Sequence, residues 1–168
     1  MALSRAPLVK TTSSEGRSVR QRIIDALEQL LLEMEDGGEK VWRFVAYGDP
    51  EDVGNERTPF VCIDQGTEEK LQSYGGCTTY NLPTFIHMRW AHKEGVDAQD
   101  RYRYYLALLQ KTVLGNHNLG GLAQNVEEDS NAHTIVGLKD AYPGGSLNVV
   151  ITYKTRLHNP FKSPHEPL

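Results

Sequence analysis

The stretch LPTFIHMRWA, residues 82–91, decides the fold, because it is the longest candidate strand of the chain. Its side chains alternate in character, and successive side chains of a strand point to opposite faces of a sheet. The row that we predict to face the core consists of Thr84, Ile86, Met88 and Trp90. The opposite row consists of Phe85, His87, Arg89 and Ala91. A strand of this kind needs other elements to cover its core-facing row.

Two segments have the apolar spacing of amphipathic helices. The first is predicted over residues 18–36, where Ser18 and Gln21 have the form of a capping box at the start. The pair Gly37-Gly38 supplies the positive φ that would end this helix. The second helix is predicted to begin after Asp97, whose side chain can cap its first turn. Both helices need an apolar surface on which to lie.

Further strands are predicted from apolar and β-branched runs. Residues 41–47 and 60–63 precede the central stretch, and residues 146–157 form a strongly β-branched final strand. Two short strands, 122–127 and 133–138, are predicted around an acidic turn. Two helices on one sheet would bury both apolar stripes. The prediction is therefore an α+β fold, a mixed, mostly antiparallel β-sheet packed by two amphipathic helices.

The domain organisation is predicted from changes in composition along the chain. Residues 1–17 are polar and are predicted to form an N-terminal arm, and residues 18–160 form the domain. Within it, the polar segment 64–81 is either a long hairpin or an exposed loop. The proline-rich residues 161–168 are predicted to be a C-terminal tail.

The composition excludes several classes of protein. The 168 residues are 39% hydrophobic and 24% charged, as expected for a soluble globular domain. A net charge of −4 and scattered basic residues do not favour general affinity for nucleic acid. No apolar run approaches the roughly 20 residues that span a bilayer, and the first residues lack the apolar core of a signal peptide. Two cysteines in a chain of this length favour a reducing, cytosolic environment.

The sequence offers no recognisable catalytic, cofactor or metal site. Cys62 and Cys77 belong to no CxxC pair, and His87 and His92 would project to opposite faces of a strand. Neither a nucleophile elbow nor a phosphate-binding glycine loop is present, and isolated glycine pairs such as Gly144-Gly145 are predicted turns. The acidic runs at 68–69 and 127–129 could serve a two-metal nuclease, but solvated loop charge is the favoured interpretation. We predict no catalytic residue, no cofactor and no metal.

Five side chains are predicted to form an interface with other proteins: Leu71, Tyr74, Tyr80, Tyr142 and Phe161. A solvated loop does not need the apolar groups of the 64–81 segment, and tyrosine is favoured at interfaces. A proline-rich tail with an aromatic residue suits extended docking on a neighbour. The alternative is that both segments pack on their own domain.

Four stretches, taken in order, resemble one family of viral proteins. They are the leading helix RQRIIDALEQLL at 20–31, the proline-opened strand LPTFIHMRW at 82–90, the helix DRYRYYLALLQKTVL at 100–114, and VVITYKTRLHNP at 149–160. From about residue 18 to residue 160 the chain is similar to the tail terminators of long-tailed bacteriophages, a family that includes small tail-completion proteins.

This resemblance implies a structural virion protein and no enzyme. The subunit would form a ring, commonly a hexamer, on the last ring of the tail tube. The ring would stop tube polymerisation and dock the head–tail connector, and DNA would pass through its lumen without specific binding. The implied location is the head–tail junction of the virion, after assembly in the host cytoplasm, with no membrane partner.

Alternatives of three classes stay open at this point. Within the structural class, the chain could be a neck or head-completion protein, or a tail-tube-like subunit. From another class, a metal-dependent hydrolase or nuclease could assemble its acidic residues from separate segments. A bacterial adaptor domain would predict a monomer or dimer with neither a ring nor an activity.

Overall fold

The computed structural model describes residues 16–137 and 139–167. The elements in chain order are helix α1 (Val19–Leu32), strands β1 (Glu35–Asp36), β2 (Glu39–Lys40), β3 (Phe44–Tyr47), β4 (Phe60–Gln65), β5 (Glu69–Tyr74) and β6 (Cys77–Arg89), helix α2 (Ala98–Gly115), and strands β7 (Ala123–Val136) and β8 (Gly144–Arg156). Short 3-10 turns occur at Pro50–Asp52, Asn55–Arg57 and Leu119–Gly121. The predicted N-terminal arm lies outside the described residues except for its last two positions.

The sheet is built around β6, which contains most of the stretch that predicted it. Five strands follow the order β3-β4-β6-β8-β7, and β5 pairs with the first half of β6 beyond the end of β4. Only β3 and β4 are parallel among the described strands, and every other pair in the sheet is antiparallel. The predicted α+β fold with a mixed, mostly antiparallel sheet and two helices is therefore confirmed.

Both helices lie on one face of this sheet, where they bury a single apolar core. The predicted core row from Thr84 to Trp90 is buried, whereas the alternate residues 85, 87 and 89 are only half-buried. At one end of the core, the ring of Tyr105 on α2 contacts Trp42 and Trp90 at centroid distances of 5.0 and 5.5 Å. These aromatic contacts fix α2 against the sheet.

The predicted helix starts are confirmed by their hydrogen bonds. The Gln21 N–H donates to Ser18 Oγ at 3.2 Å, and the Gln21 side chain accepts from the Ser18 N–H at 3.1 Å, which completes the capping box. Asp97 Oδ1 accepts hydrogen bonds from the N–H groups of Gln99 and Asp100. Both caps satisfy amides that a helix cannot pair internally.

Several element boundaries differ from the prediction, among them the central strand, which runs from Cys77 to Arg89 rather than over 82–91. Helix α1 ends at Leu32 rather than near residue 36, because the chain turns at Glu33 and the pair Gly37-Gly38 closes a small β-ribbon, β1–β2. The strand predicted at 41–47 begins only at Phe44. The final strand starts at Gly144 rather than residue 146, so the glycine pair expected to form a turn belongs to the strand.

The region after α2 contains one strand where two short strands were predicted. β7 runs continuously from Ala123 to Val136 along β8. Glu128 pairs with Val149 and His133 with Leu147, so residues 129–132 lie opposite a single residue of β8. Glu127 and Glu128 of the predicted acidic turn are therefore paired with β8, and the bulge begins at Asp129. A bulge accommodates unpaired residues without ending the strand.

Candidate assembly surface

One end of the molecule gathers segments that are far apart in the sequence. We call it the hairpin end and define it as residues 16–22, 66–76, 114–124 and 154–167. The Val19 N–H donates to the Pro160 carbonyl at 2.9 Å, and the Leu157 N–H donates to the Gly76 carbonyl at 2.7 Å. The start of α1, the β5–β6 turn and the C-terminal segment are thus tied to one another.

The β5–β6 hairpin projects from this end. Residues 64–81 were predicted to be either a long hairpin or an exposed loop. In the structure they contain a hairpin, in which Glu69–Tyr74 pairs with the first residues of β6. Every residue of β5 is exposed. The turn residues Gly75 and Gly76 have φ values of 60° and 74°, which suit glycine, and a Cβ at either position would meet nothing within 4 Å. The hairpin therefore presents both an open strand edge and its tip.

The C-terminal segment is fixed to the domain by a partly buried carboxylate. Glu166 Oε1 accepts from the Arg22 guanidinium at 2.7 Å, and its Oε2 accepts from the Ser163 N–H at 2.6 Å. The Arg156 guanidinium donates to the Glu166 carbonyl. Burial alone would raise the pKa of Glu166, but the hydrogen bonds from Ser163 and Arg22 outweigh it and the pKa is lowered. The carboxylate is therefore ionised at neutral pH.

A second network fixes the base of the hairpin. The Tyr153 hydroxyl, on a buried ring of β8, donates to the Glu68 carboxylate, which also faces Arg20 of α1 at 3.9 Å. Arg20 donates to the Gln65 side chain at 3.0 Å. The Tyr80 ring stacks on Tyr153 at a centroid distance of 5.4 Å. These contacts hold the base of the hairpin while its tip extends outward.

The five residues predicted for an interface do not share one surface. Leu71 and Tyr74 lie on β5 with exposed fractions of 48% and 88%, and Phe161 in the C-terminal segment is 51% exposed. Tyr142, 37% exposed, lies at the opposite end, in the turn before β8. Tyr80 is half-buried against Tyr153 and is not part of the exposed surface.

A groove of about 620 Å³ lies between the hairpin turn, the start of β7 and the C-terminal segment. Its lining includes Tyr74, Cys77, Lys154 and His165. No Asp or Glu is among the lining residues in the part of the chain that the structure describes. The groove therefore has one lysine cation and no opposing carboxylate on its described walls.

The opposite end of the sheet has the opposite charge. We call it the ribbon end and define it as residues 33–43, 48–59, 90–101 and 139–143. It carries twelve Asp and Glu against six Lys and Arg, whereas the hairpin end carries seven Lys and Arg against three Asp and Glu. The segments around the Cys77 end of β6 are thus basic and those around its Arg89 end are acidic, although the net charge is small. Sequence patterns alone did not indicate this polarity, because the segments meet only in the fold.

The sheet face that the helices leave uncovered brings a serine, a histidine and an aspartate near one another. Ser146 pairs directly with His87, and Asp64 lies diagonally across from His87 on β4. Burial lowers the pKa of His87, against the opposing effect of Asp64 and Asp49, so the ring is neutral at pH 7. Among the described residues no hydrogen bond joins these side chains, and Ser146 is buried. The arrangement lacks the hydrogen-bonded relay that activates a serine.

The described residues also include no group of three or more His, Cys, Asp or Glu side chains that could hold a metal ion. The two cysteines differ in environment, since Cys77 is partly exposed and Cys62 is buried. Burial raises the pKa of the Cys62 thiol to about 11, which keeps it protonated and unreactive. Within residues 16–137 and 139–167, no helix is both long and apolar enough to cross a membrane.

No family model matches the chain, and no curated protein matches it.

Proposed function

We propose that the protein is a structural subunit whose copies join head to tail in a closed ring, and that this ring is a bacteriophage tail terminator. The tail terminator role rests on the sequence resemblance, which implies a hexamer that caps the tail tube and docks the head–tail connector. The observation that carries the ring is the charge separation between the hairpin end and the ribbon end.

Head-to-tail contact requires two different surfaces that complement each other on one subunit. The basic hairpin end and the acidic ribbon end meet this requirement, and attraction between them favours the correct orientation at encounter. Exposed apolar groups lie at both ends, with Leu71 and Tyr74 at one and Tyr142 at the other. Such contacts close into a ring when the rotation between neighbours divides a full turn.

A ring joined in this way leaves the middle of both helices, the uncovered sheet face and the outer edge of β7 after its first residues free. Those surfaces are then available to the tail tube on one side and to the connector on the other. The net charge of −4 suits a lumen through which DNA moves, because like charge prevents adhesion.

The test is the native mass of the purified protein over a range of concentrations, alone and with assembled tail tubes. We expect a single closed oligomer, six subunits by resemblance, that weakens as salt is raised because screening reduces the attraction between the ends. The tube-bound form should stop further tube elongation.

A matched control is Lys111→Glu, which reverses an exposed charge on α2 outside both ends and should leave the oligomer unchanged. A protein that stays monomeric at every concentration and does not bind tubes would refute the proposal.

A further inference from the structure

We infer that the groove at the hairpin end receives the β1–β2 ribbon of a second copy. This inference rests on the proposed ring, and it names the two elements that would interlock at each contact. It follows from the groove, from the shape of the ribbon and from a charge conflict within the ribbon.

The ribbon projects from the ribbon end as a narrow acidic tip. All residues from Glu35 to Lys40 are exposed, and the two-residue turn Gly37-Gly38 has φ values of 60° and 86°. Open space surrounds both glycines. A two-residue turn of this kind makes the tightest connection that antiparallel strands permit.

The tip of the ribbon carries a like-charge pair. Asp36 is directly opposite Glu39 in the pairing of β1 with β2, and both side chains are exposed. Like charges in this position destabilise a strand pair. The hydroxyl of Tyr104 donates to Asp36, and the cation of Lys40 pairs with Glu35 rather than with Glu39. A cation supplied from outside would relieve this repulsion.

The groove offers such a cation in a cavity of suitable size. Lys154 lines the groove with His165, and no carboxylate on the described walls competes for it. A volume of 620 Å³ lies within the range of about 300–1,000 Å³ that is usual for ligand sites. Tyr74 stands at the rim with 88% of its surface exposed and would cover the inserted turn.

A second copy is favoured over other occupants because the complementary acidic tip belongs to the same chain. An acidic segment of a different protein, or a nucleic acid phosphate, would also be attracted by Lys154. Neither of those occupants would place residue 39 of one copy beside residue 77 of another.

Disulfide trapping tests this placement directly, because two cysteines are bridged only when their Cα atoms lie within about 7 Å. The full chain with Glu39→Cys, which keeps the Asp36 carboxylate at the tip, is oxidised with diamide at a concentration high enough to offset the lost charge. Diamide takes up the two electrons and two protons that the thiols release. We expect a ladder of covalently linked chains up to the ring number, with Cys77 joined to the new cysteine by peptide mapping. The buried Cys62 should not react.

Two variants control this experiment. Asp140→Cys places an exposed cysteine elsewhere on the ribbon end, and Cys77→Ser combined with Glu39→Cys removes the groove thiol. Both should give no ladder. Rings that form by native mass without a 39–77 crosslink would overturn the inference and leave the ring intact, whereas absence of any oligomer would overturn the proposed function itself.

Charge exchange provides an independent readout. Lys154→Glu should weaken assembly about tenfold, and adding Glu39→Lys to the same chain should restore it, because the pair is then reversed rather than removed. If Lys154→Glu assembles as well as the wild type, the groove is not the receiving site. If peptides or DNA but not a second copy compete at Lys154, the occupant has been assigned wrongly.

Discussion

The two ends of the molecule each contain an ion pair with a nitrogen–oxygen distance of 2.7 Å, yet the two pairs differ in burial. Arg22 and Glu166 at the hairpin end have side-chain exposures of 15% and 28%. Lys40 and Glu35 on the ribbon have exposures of 52% and 51%. The two pairs have the same nitrogen–oxygen distance but different roles. The Arg22–Glu166 pair anchors the C-terminal segment, whereas the Lys40–Glu35 pair lies on a solvated tip.

The same contrast holds for the two glycine turns. Gly75-Gly76 closes a hairpin whose base is fixed to the core through Tyr80 and Tyr153, whereas Gly37-Gly38 closes a ribbon with no buried residue. The hairpin is thus anchored to the core at its base, and the ribbon is an exposed projection. Substitutions should therefore change the free energy of unfolding strongly at the base of the hairpin and weakly on the ribbon.

The largest expected effect separates Tyr80 from Tyr74. Tyr80→Ala removes a ring stacked on Tyr153 and should lower the free energy of unfolding by about 2–3 kcal/mol. Tyr74→Ala removes an exposed ring and should change stability by no more than about 0.5 kcal/mol, while weakening the oligomer. Urea unfolding of the two variants measures the first difference, and native mass measures the second. Equal stabilities for the two variants would contradict the assignment of Tyr80 to the hairpin base.

The second expected effect compares the two ion pairs. Arg22→Met leaves a partly buried carboxylate without its guanidinium partner and should destabilise the protein by about 1–2 kcal/mol. For a chain of this length, that corresponds to a fall of about 2–4 °C in Tm for each kcal/mol. Lys40→Met, the matched change on the ribbon, should cost less than about 1 kcal/mol. If Lys40→Met lowers the free energy of unfolding more than Arg22→Met does, burial does not determine how much each ion pair contributes to stability.

The third prediction concerns pH. Because the pKa of Glu166 is lower in the folded protein than its ordinary value of about 4.3, its contribution is fully present above that value. The contribution is lost as the pH falls through the lowered pKa, when the carboxylate gains a proton and releases Arg22.

The Val19 N–H bonds to Pro160, so its hydrogen exchange reports on this anchor. Its protection, measured relative to the intrinsic exchange rate at each pH, should therefore fall at acidic pH. In Glu166→Gln, the protection of the Val19 N–H should be low at every pH and should no longer change as the pH is lowered. An unchanged pH dependence in Glu166→Gln would assign the effect to another group.

The smallest expected effect has the opposite sign. Glu39→Gln removes the repulsion with Asp36 and should stabilise the isolated subunit by about 0.2–1 kcal/mol. The same change should weaken the oligomer, because the acidic tip loses part of its attraction to Lys154. Thermal unfolding measures the change in stability of the monomer, and native mass over a range of concentrations measures the change in the strength of the oligomer. A variant that is less stable as a monomer would show that Asp36 and Glu39 do not repel each other.

Much of the fold followed from the sequence because local signals agreed with the final packing. The caps at Ser18 and Asp97 and the alternating row from Thr84 to Trp90 depend on spacing that a single element determines. The pair Gly144-Gly145 was expected to be a turn but begins β8. A Cβ at Gly145 would lie 2.4 Å from the Tyr102 ring, a tertiary contact that no local pattern shows.

The ribbon and the candidate surface were less accessible to prediction. Strands of two residues, such as β1 and β2, are too short to show a period. Tyr80 and Tyr74 lie on the same hairpin, and only the pairing with β8 shows that one is packed and the other exposed. The charge separation depends on topology, which brings residues 16–22 beside residues 154–167.

The most direct test of head-to-tail assembly uses two variants that are each neutralised at one end. Tyr74→Ala with Lys154→Ala disables the hairpin end, and Asp36→Ala with Glu39→Ala disables the ribbon. Each variant alone should remain monomeric, because every contact needs both ends. An equimolar mixture should give a dimer of twice the 18.9 kDa subunit mass and nothing larger, since only one intact contact can form. A mixture that stays monomeric while the wild type assembles, or variants that form rings alone, would contradict head-to-tail assembly.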